Sequence, residues 1–353
     1  MNGHDDAAAL GVAHALQHAL EEPFALDTFL IPIQASIGVS SAPQHATTPE
    51  DLLRCADIAM YQAKAQQTGV EIYKATGDEH TRDRLLLVSE LRHGLDNGEL
   101  LLHYQPKVSI ADRSVTGVEA LVRWQHPRLG LLPPAEFVPL AEREGLIRLL
   151  TLEVLDQALA QQREWRRTGV DISVAVNLSP ANLLDTRLPD DLAALLTKHE
   201  TPPQQLELEI TESTLMRDPE RALDILARIS ELGVGFALDD FGTGYSSLAQ
   251  LRHLPVSALK IDRSFITHMT ESAEDASIVR STIQLGRSLN LQVVAEGVES
   301  AEHLSALEEF GCHTVQGFYL SRPIPAEAVT DWMRAYRPAD PAAGLGAPVS
   351  GPG

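Results

Sequence analysis

Cysteine is almost missing from this sequence, with Cys55 and Cys312 the only two among 353 residues. Two isolated thiols exclude a disulfide framework and a thiolate zinc site, and both are expected to sit reduced in or near a core. Aromatic residues are scarce at 5%, and 28 Lys and Arg face 49 Asp and Glu, for a formal charge of −21. A surface that acidic repels phosphate backbones, so binding to polymeric nucleic acid is not expected. A small phosphate ester is a different case, because bound cations reverse the local field. No apolar run approaches the ~18–20 residues that span a bilayer. The opening Met-Asn-Gly-His-Asp-Asp also lacks the basic-then-apolar pattern of a leader. The expected setting is cytosolic, with any membrane tether of a longer parent lying upstream of Met1.

The residues that are present fall into four stretches. Residues 1–75 hold a helical run from Ala7 to Leu20, an apolar run from Phe29 to Val39 broken by Pro32, and a second helix. Thr48 is placed to cap that helix, with Pro49 at its first position and acids in its first turn. Leu52, Leu53, Ala56, Ala59, Met60 and Ala63 then recur at helical spacing. Residues 76–98 read as a connecting helix, with Leu85, Val88, Leu91 and Leu95 on one stripe. Residues 99–337 form the main body. Residues 338–353 are Pro, Ala and Gly with little to bury, and disorder is expected there.

The main body alternates short apolar strands with amphipathic helices. Strands are expected at Val115–Trp124, Ile172–Leu178, Leu206–Ile210, Val234–Leu238, Ala258–Ile261, Leu291–Ala295 and His313–Val315. Intervening helices carry stripes such as Leu223, Leu226, Ile229 and Leu232. Repeated strand–helix units over this length favour an α/β fold of the closed (β/α)8, TIM-like barrel kind. An open doubly wound sheet is the alternative, but no GxGxxG turn follows the first strand.

The polar residues sit at the strand ends. Glu119 falls within TGVEALVRW, Asn177 follows SVAV, and Glu209 follows LEL. Asp239 and Asp240 follow GFAL, Lys260 follows SAL, Glu296 follows VVA, and Gln316 follows TV. In a barrel such ends converge on one face. Any one of them taken singly reads as a helix cap or a solvated loop residue; the series does not. Gathered carboxylates repel one another unless cations neutralise them. Oxygen donors and one amide, with no Cys or His, suit Mg²⁺ or Mn²⁺ rather than zinc. If the strand end at Asp239-Asp240 leaves regular geometry, both carboxylates reach neighbouring ions, as a two-metal site requires. Lys260 is then placed to orient an anion or a water, and Glu296 to take a proton or complete a coordination shell. The loop from Phe241 to Ser247 reads either as a tight turn or as a mobile cover, the latter favoured beside paired aspartates. Arg123 suits a phosphate or a surface ion pair equally well. Glu212 reads as an anchor for the loop, and the scattered histidines form no HExxH.

Glu119-Ala120-Leu121 with Val122-Arg123-Trp124 resembles the signature of the EAL-domain family of cyclic-di-GMP phosphodiesterases. The likeness runs on through Tyr104-Gln105-Pro106, the FVPLAEREGLI run from Phe137, VNLSP at Val176–Pro180 and LEITES at Leu208–Ser213. It continues through DDFGTGYSSL at Asp239–Leu248, LKIDRSFI at Leu259–Ile266, AEGVE at Ala295–Glu299 and QGFYLSRP at Gln316–Pro323. The resemblance implies a barrel with an antiparallel first strand, which fits Leu101–Val108. It implies that Glu119, Asn177, Glu209 and Asp239 hold one divalent ion and Asp239 with Asp240 a second, both Mg²⁺ or Mn²⁺. Lys260 would position the attacking water, Glu296 serve as base or metal support, and Gln316 hold the network together. Gln105, Leu121, Arg123 and Pro323 would line the substrate, and Glu212 would fix the loop. The implied reaction opens cyclic-di-GMP once to linear pGpG, and pairing of two copies through the barrel is expected.

Two other readings stand beside this one. A degenerate EAL module would sense the dinucleotide without cutting it, but would show a broken ligand set or loop. An enolase-like proton abstraction needs the same residue types, but not the run of motifs. Near the N-terminus, SIGVS at Ser36–Ser40 and ADIAMYQAK at Ala56–Lys64 resemble the second half of a GGDEF, or diguanylate cyclase, domain. The GGDEF signature itself is absent, and Thr68 stands where that family usually has arginine. The fragment is therefore expected to make no cyclic-di-GMP. Packing on the barrel, pairing with another chain and partial disorder are all open to it.

Overall fold

The computed structural model describes residues 6–336, except 22–23, 27–28, 32–34, 67, 75–77, 212–217, 243–250 and 252–253. The chain divides into two units at Glu90/Leu91. The disorder expected over residues 338–353 lies outside the described residues.

The N-terminal unit begins with a helix at Asp6–Glu21. Strands β1 (Phe24–Leu26) and β2 (Phe29–Ile31) pair antiparallel. Strands β3 (Ile37–Val39) and β4 (Val70–Ile72) pair in parallel around the helix Pro49–Gln66. That helix starts as its sequence predicts, because Thr48 Oγ1 accepts from Asp51 N at 3.2 Å and satisfies an otherwise unpaired first-turn donor. Its buried stripe differs from the expected one: Cys55, Ile58, Ala59 and Ala63 face inward, while Leu53 and Met60 are exposed. At 100° per residue the inward face is centred between Cys55 and Ala59, which turns Leu53 and Met60 away. The helix Asp78–Asp96 follows.

In the second unit, β5 (Leu100–Ser109), β6 (Val115–His126), β8 (Ser173–Leu178), β9 (Leu206–Thr211), β10 (Gly235–Phe241), β11 (Ala258–Ile261), β12 (Gln292–Ala295) and β13 (Thr314–Val315) close into a ring. The ring is parallel except at β5, which runs antiparallel to both β6 and β13. Two short strands, β7 (Gly130–Leu132) and β14 (Ile324–Pro325), lie beyond it on β6 and β5. The barrel with a reversed first strand is therefore as expected, and each predicted strand is present, Ala258–Ile261 with its expected bounds and the others with one or both ends shifted by a residue or a few.

Helices wrap the ring because their apolar stripes match its outer face. Ile147–Arg167 buries Leu150, Val154, Leu155, Ala158, Leu159 and Trp165, and the Trp165 ring meets Tyr104 edge-on at 4.8 Å. In Pro219–Glu231 the buried residues are Ala222, Ile225, Leu226 and Ile229, while Leu223 is exposed. A strict three-residue spacing drifts 60° per step around a helix, so the stripe expected through Leu223 and Leu232 could not stay on one face. Side-chain caps fix where the helices leave the strand ends: Asp218 on Arg221 N, Ser272 on Asp275 N and Ser300 on His303 N. Both cysteines are buried and reduced.

Candidate active site

Lys260 stands at the centre of the polar strand ends. It projects from β11, is 1% exposed, and ranks with the largest fully buried side chains of the protein. Its Nζ lies 2.5 Å from Glu209, 2.5 Å from Glu296, 3.3 Å from Asp239 and 4.0 Å from Glu119. An unpaired ammonium this deep would lose its proton. Burial does act to lower the Lys260 pKa, but Glu119, Glu209, Glu296 and Asp239 outweigh it and raise the value well above the ordinary one.

Local backbone features bring these groups together. Asp239 and Asp240 occupy an irregularity in β10, where the pairing with β11 steps from Leu238↔Leu259 to Phe241↔Ile261. Two aspartates thus oppose the single residue Lys260, as in a β-bulge. Asp240 takes a left-handed φ of 54°, and its N–H donates to Asp239 Oδ1 at 2.9 Å. The strand end does leave regular β geometry, so the two carboxylates diverge. Asp239 turns to Lys260, and Asp240 shares a side-chain hydrogen bond with Asp262. Burial, then Asp239 and Asp262, raise the Asp240 pKa. Gly297 follows Glu296 at φ 70°, and a Cβ there would lie 2.5 Å from the Arg263 Cβ. Only glycine lets the chain turn so sharply there.

On the far side, register pairs Gln105 of β5 with Glu119 of β6. Gln316 joins them, its Nε2 donating to Glu119 Oε2 at 2.5 Å and to Gln105 Oε1 at 3.0 Å. Gln105 Nε2 donates onward to Ser321 O at 3.0 Å, tying down the segment that ends at Pro323. Asn177 Nδ2 donates to Glu119 Oε1 at 2.6 Å. Glu119, Asn177, Glu209, Asp239, Lys260, Glu296, Gln316 and Gln105 therefore form one connected cluster. Arg123 is half-buried beside it; burial lowers its pKa and Glu119 opposes that. Leu121 lines an apolar cavity of about 390 Å³ with Val138, Pro139, Glu142, Asn177 and Ser179. Glu212 and the loop from Thr243 to Ser247 lie outside the described residues.

Electrostatically the carboxylates divide. For Glu209, burial acts upward, but Lys107 and Lys260 bring the pKa down to about 2. Burial, only partly offset by Lys260, pushes Glu296 up to about 8, with Asp239, Glu119 and Glu209 adding to it. Glu119 is likewise raised, by burial and then by Glu209. Burial thus holds Glu296 toward its protonated form, while Lys107 and Lys260 hold Glu209 ionised.

The donor set fits hard divalent cations. Carboxylates outnumber ammoniums in this interior, and the buried Oε1 atom of Gln316 accepts no hydrogen bond among the described residues. As placed, the carboxylates turn onto Lys260, and among the described residues no three His, Cys, Asp or Glu side chains surround a separate ion-sized point.

Two residues escaped the sequence reading. Lys107 is buried on β5 with its Nζ 2.8 Å from both Glu207 and Glu209. Asp262 partners Asp240 and caps the helix Arg263–His268 through Ser264 N. The signal for Lys107 was its place two residues after Gln105, hence on the same strand face; for Asp262, its place two residues after Lys260.

Comparison with known proteins bears on the same stretch. The chain matches the diguanylate cyclase GGDEF domain over residues 2–69 and the EAL domain over residues 88–323. It is 43% identical over 329 residues to the bifunctional diguanylate cyclase/cyclic di-GMP phosphodiesterase MucR of Pseudomonas aeruginosa, covering 93% of this chain and 48% of that protein. To the cyclic di-GMP phosphodiesterase PdeR of Escherichia coli it is 36% identical, over 94% of this chain and 50% of the other. The chain thus spans about half the length of these curated relatives. A solved structure of the PaMucR phosphodiesterase in complex with c-di-GMP superposes with a TM-score of 0.67 at 48% identity, over 69% of this chain and 99% of that one. The second match takes in every strand of the closed ring and every side chain of the Lys260 cluster, and on that ground the chain belongs to the EAL domain family.

Proposed function

We propose that this chain hydrolyses cyclic-di-GMP to linear pGpG at the Lys260 cluster. The observation that carries the reading is the convergence of Glu119, Glu209, Asp239 and Glu296 within 4.0 Å of one buried ammonium. Glu119, Asn177, Glu209 and Asp239 would hold one Mg²⁺ or Mn²⁺, and Asp239 with Asp240 the second. Such ions, when bound, acidify a water, screen the phosphate and stabilise the departing oxygen. Glu296, held 2.5 Å from Lys260, takes the proton of the attacking water. Lys260 keeps that water and the phosphate in line, and Gln316 fixes Glu119 against Gln105. Arg123 pairs with a phosphate oxygen, Leu121 and Pro323 flank a base, and the cavity beside Leu121 admits a planar apolar face. Water adds to phosphorus, one P–O bond breaks, and the released ribose oxygen is protonated.

The test is incubation of the purified chain with cyclic-di-GMP and Mn²⁺, with and without chelator, reading pGpG by chromatography. Metal-dependent pGpG is the expected outcome; tight binding with no product in any divalent ion would establish a receptor instead. The division into an N-terminal GGDEF-like fragment, a connecting helix and the barrel belongs to the same proposal. So does pairing through the barrel, which light scattering over a concentration series checks, a monomer throughout counting against it. No helix among the described residues is long and apolar enough to cross a membrane.

A further inference from the structure

We infer that Lys107 is a positioning residue for Glu209, acting one layer beneath the reacting groups; the inference rests on the function proposed above. Both oxygens of Glu209 are engaged, each by a different ammonium. Lys107 Nζ holds Oε1 at 2.8 Å, and Lys260 Nζ holds Oε2 at 2.5 Å. The Glu209 side chain is fully buried and that of Lys107 is 7% exposed. Lys107 is itself fixed from the other side by Glu207 Oε1 at 2.8 Å. Its main-chain carbonyl accepts from the Thr116 hydroxyl at 3.2 Å, where the β5–β6 register shifts after Lys107. Bulges re-aim side chains, and here the strand sends Gln105 and Lys107 inward at successive levels.

The consequence is directional. With Oε1 committed to Lys107, only Oε2 of Glu209 is offered to the level occupied by Lys260, Asp239, Glu296 and Glu119. A carboxylate held by a second partner meets a cation already oriented. Lys107 pairs with Glu207 and Glu209, not with Gln105, Leu121, Arg123 or Pro323, which are proposed to line the substrate. Its loss therefore reaches the metal and the turnover step, and leaves substrate affinity alone.

The test pairs calorimetric titration of Mn²⁺, without substrate, with steady-state kinetics on Lys107→Met, Lys107→Gln and Lys107→Arg. In Lys107→Met, Mn²⁺ should bind about 10–100-fold more weakly and kcat should fall comparably, the size seen when partners of metal ligands are removed. KM for cyclic-di-GMP should stay unchanged. Lys107→Arg, which keeps the cation, should recover most of both. If Lys107→Met does not fold, Lys107→Gln, which retains two donors, is read in its place. A lysine with a merely structural role lowers the melting temperature but leaves the Mn²⁺ Kd of the folded protein at the wild-type value, and that result overturns the inference. Wild type that neither binds Mn²⁺ nor makes pGpG defeats the functional reading itself. Wild type that does both, matched by Lys107→Met, defeats only the role of Lys107.

Discussion

Replacing Lys260 with methionine removes a single charge and leaves the volume of the side chain almost intact. What it leaves behind is a set of buried carboxylates at 2.5, 2.5, 3.3 and 4.0 Å from the lost ammonium. Removing one partner of a buried ion pair costs about 3–5 kcal/mol. The figure does not multiply with the number of carboxylates, because they take up protons rather than remain ionised together. For a unit of this size, about 2–4 °C of melting temperature accompanies each kcal/mol. In chelator, Lys260→Met should therefore melt about 6–20 °C below wild type, on the same principles. A divalent ion binding the folded form should return part of this, about 2.7 kcal/mol at a hundred times its Kd, without restoring hydrolysis. Scanning calorimetry at pH 7, with chelator and then with a Mn²⁺ series, gives both numbers. If Lys260→Met melts with wild type in chelator, these acids do not depend on that ammonium, and the electrostatic account of the site fails.

Three further outcomes are expected. Glu119→Ala should cut pGpG formation by at least about 10³-fold, since the proposed metal, of which Glu119 would be a ligand, supplies several kcal/mol of charge stabilisation; chromatography at matched protein concentration decides it. Arg123→Ala should act mainly on KM, raising it about 10–150-fold through loss of a charge-assisted hydrogen bond of about 1.5–3 kcal/mol, and an unchanged KM would place Arg123 outside the substrate site. Stability should depend on pH in a sense fixed by two groups. Glu296, faced by Lys260, Asp239, Glu119 and Glu209, is raised from 4.5 to about 8, so the folded protein keeps a proton that the unfolded chain has lost. Stability then declines as pH rises from about 4.5 to about 8. Glu209, lowered from 4.5 to about 2, stabilises above 4.5, a contribution lost as pH falls toward 2. Urea titrations of the metal-free protein should therefore show a maximum in mild acid. A steady rise from pH 5 to 8 would contradict the raised Glu296, and Glu296→Gln should flatten that limb.

The carboxylates at the ends of the parallel strands were legible because each closes a short apolar run, and a closed ring must bring such ends to one rim. The antiparallel strand hid its contribution for the same reason. β5 passes the rim in the opposite sense, so its inward polar groups, Gln105 and Lys107, lie within the run rather than at its close. Gln105 was recovered only through the family pattern, and Lys107 not at all. Leu223, Leu53 and Met60 fall off the buried faces because recurrence at three- and four-residue steps does not by itself fix the helical phase. Small residues set that phase: Ala222 beside Ile225, and Ala59 with Ala63 beside Cys55. Asp262 looked like an ordinary helix cap, which it also is.

One residue in β10 is surplus to the wall of the barrel. A regular ladder asks for a single position opposite Lys260, and the chain supplies Asp239 and Asp240. Deleting Asp240 would leave a strand able to pair with both neighbours, and would relieve a left-handed backbone that costs about 1–3 kcal/mol. Scaffold integrity and the proposed metal site part company at this point: a shortened strand keeps its pairing while forfeiting an acid proposed to hold the second ion. Loss of function by a one-codon deletion, with expression and folding intact, is the signature this arrangement leaves open to genetics.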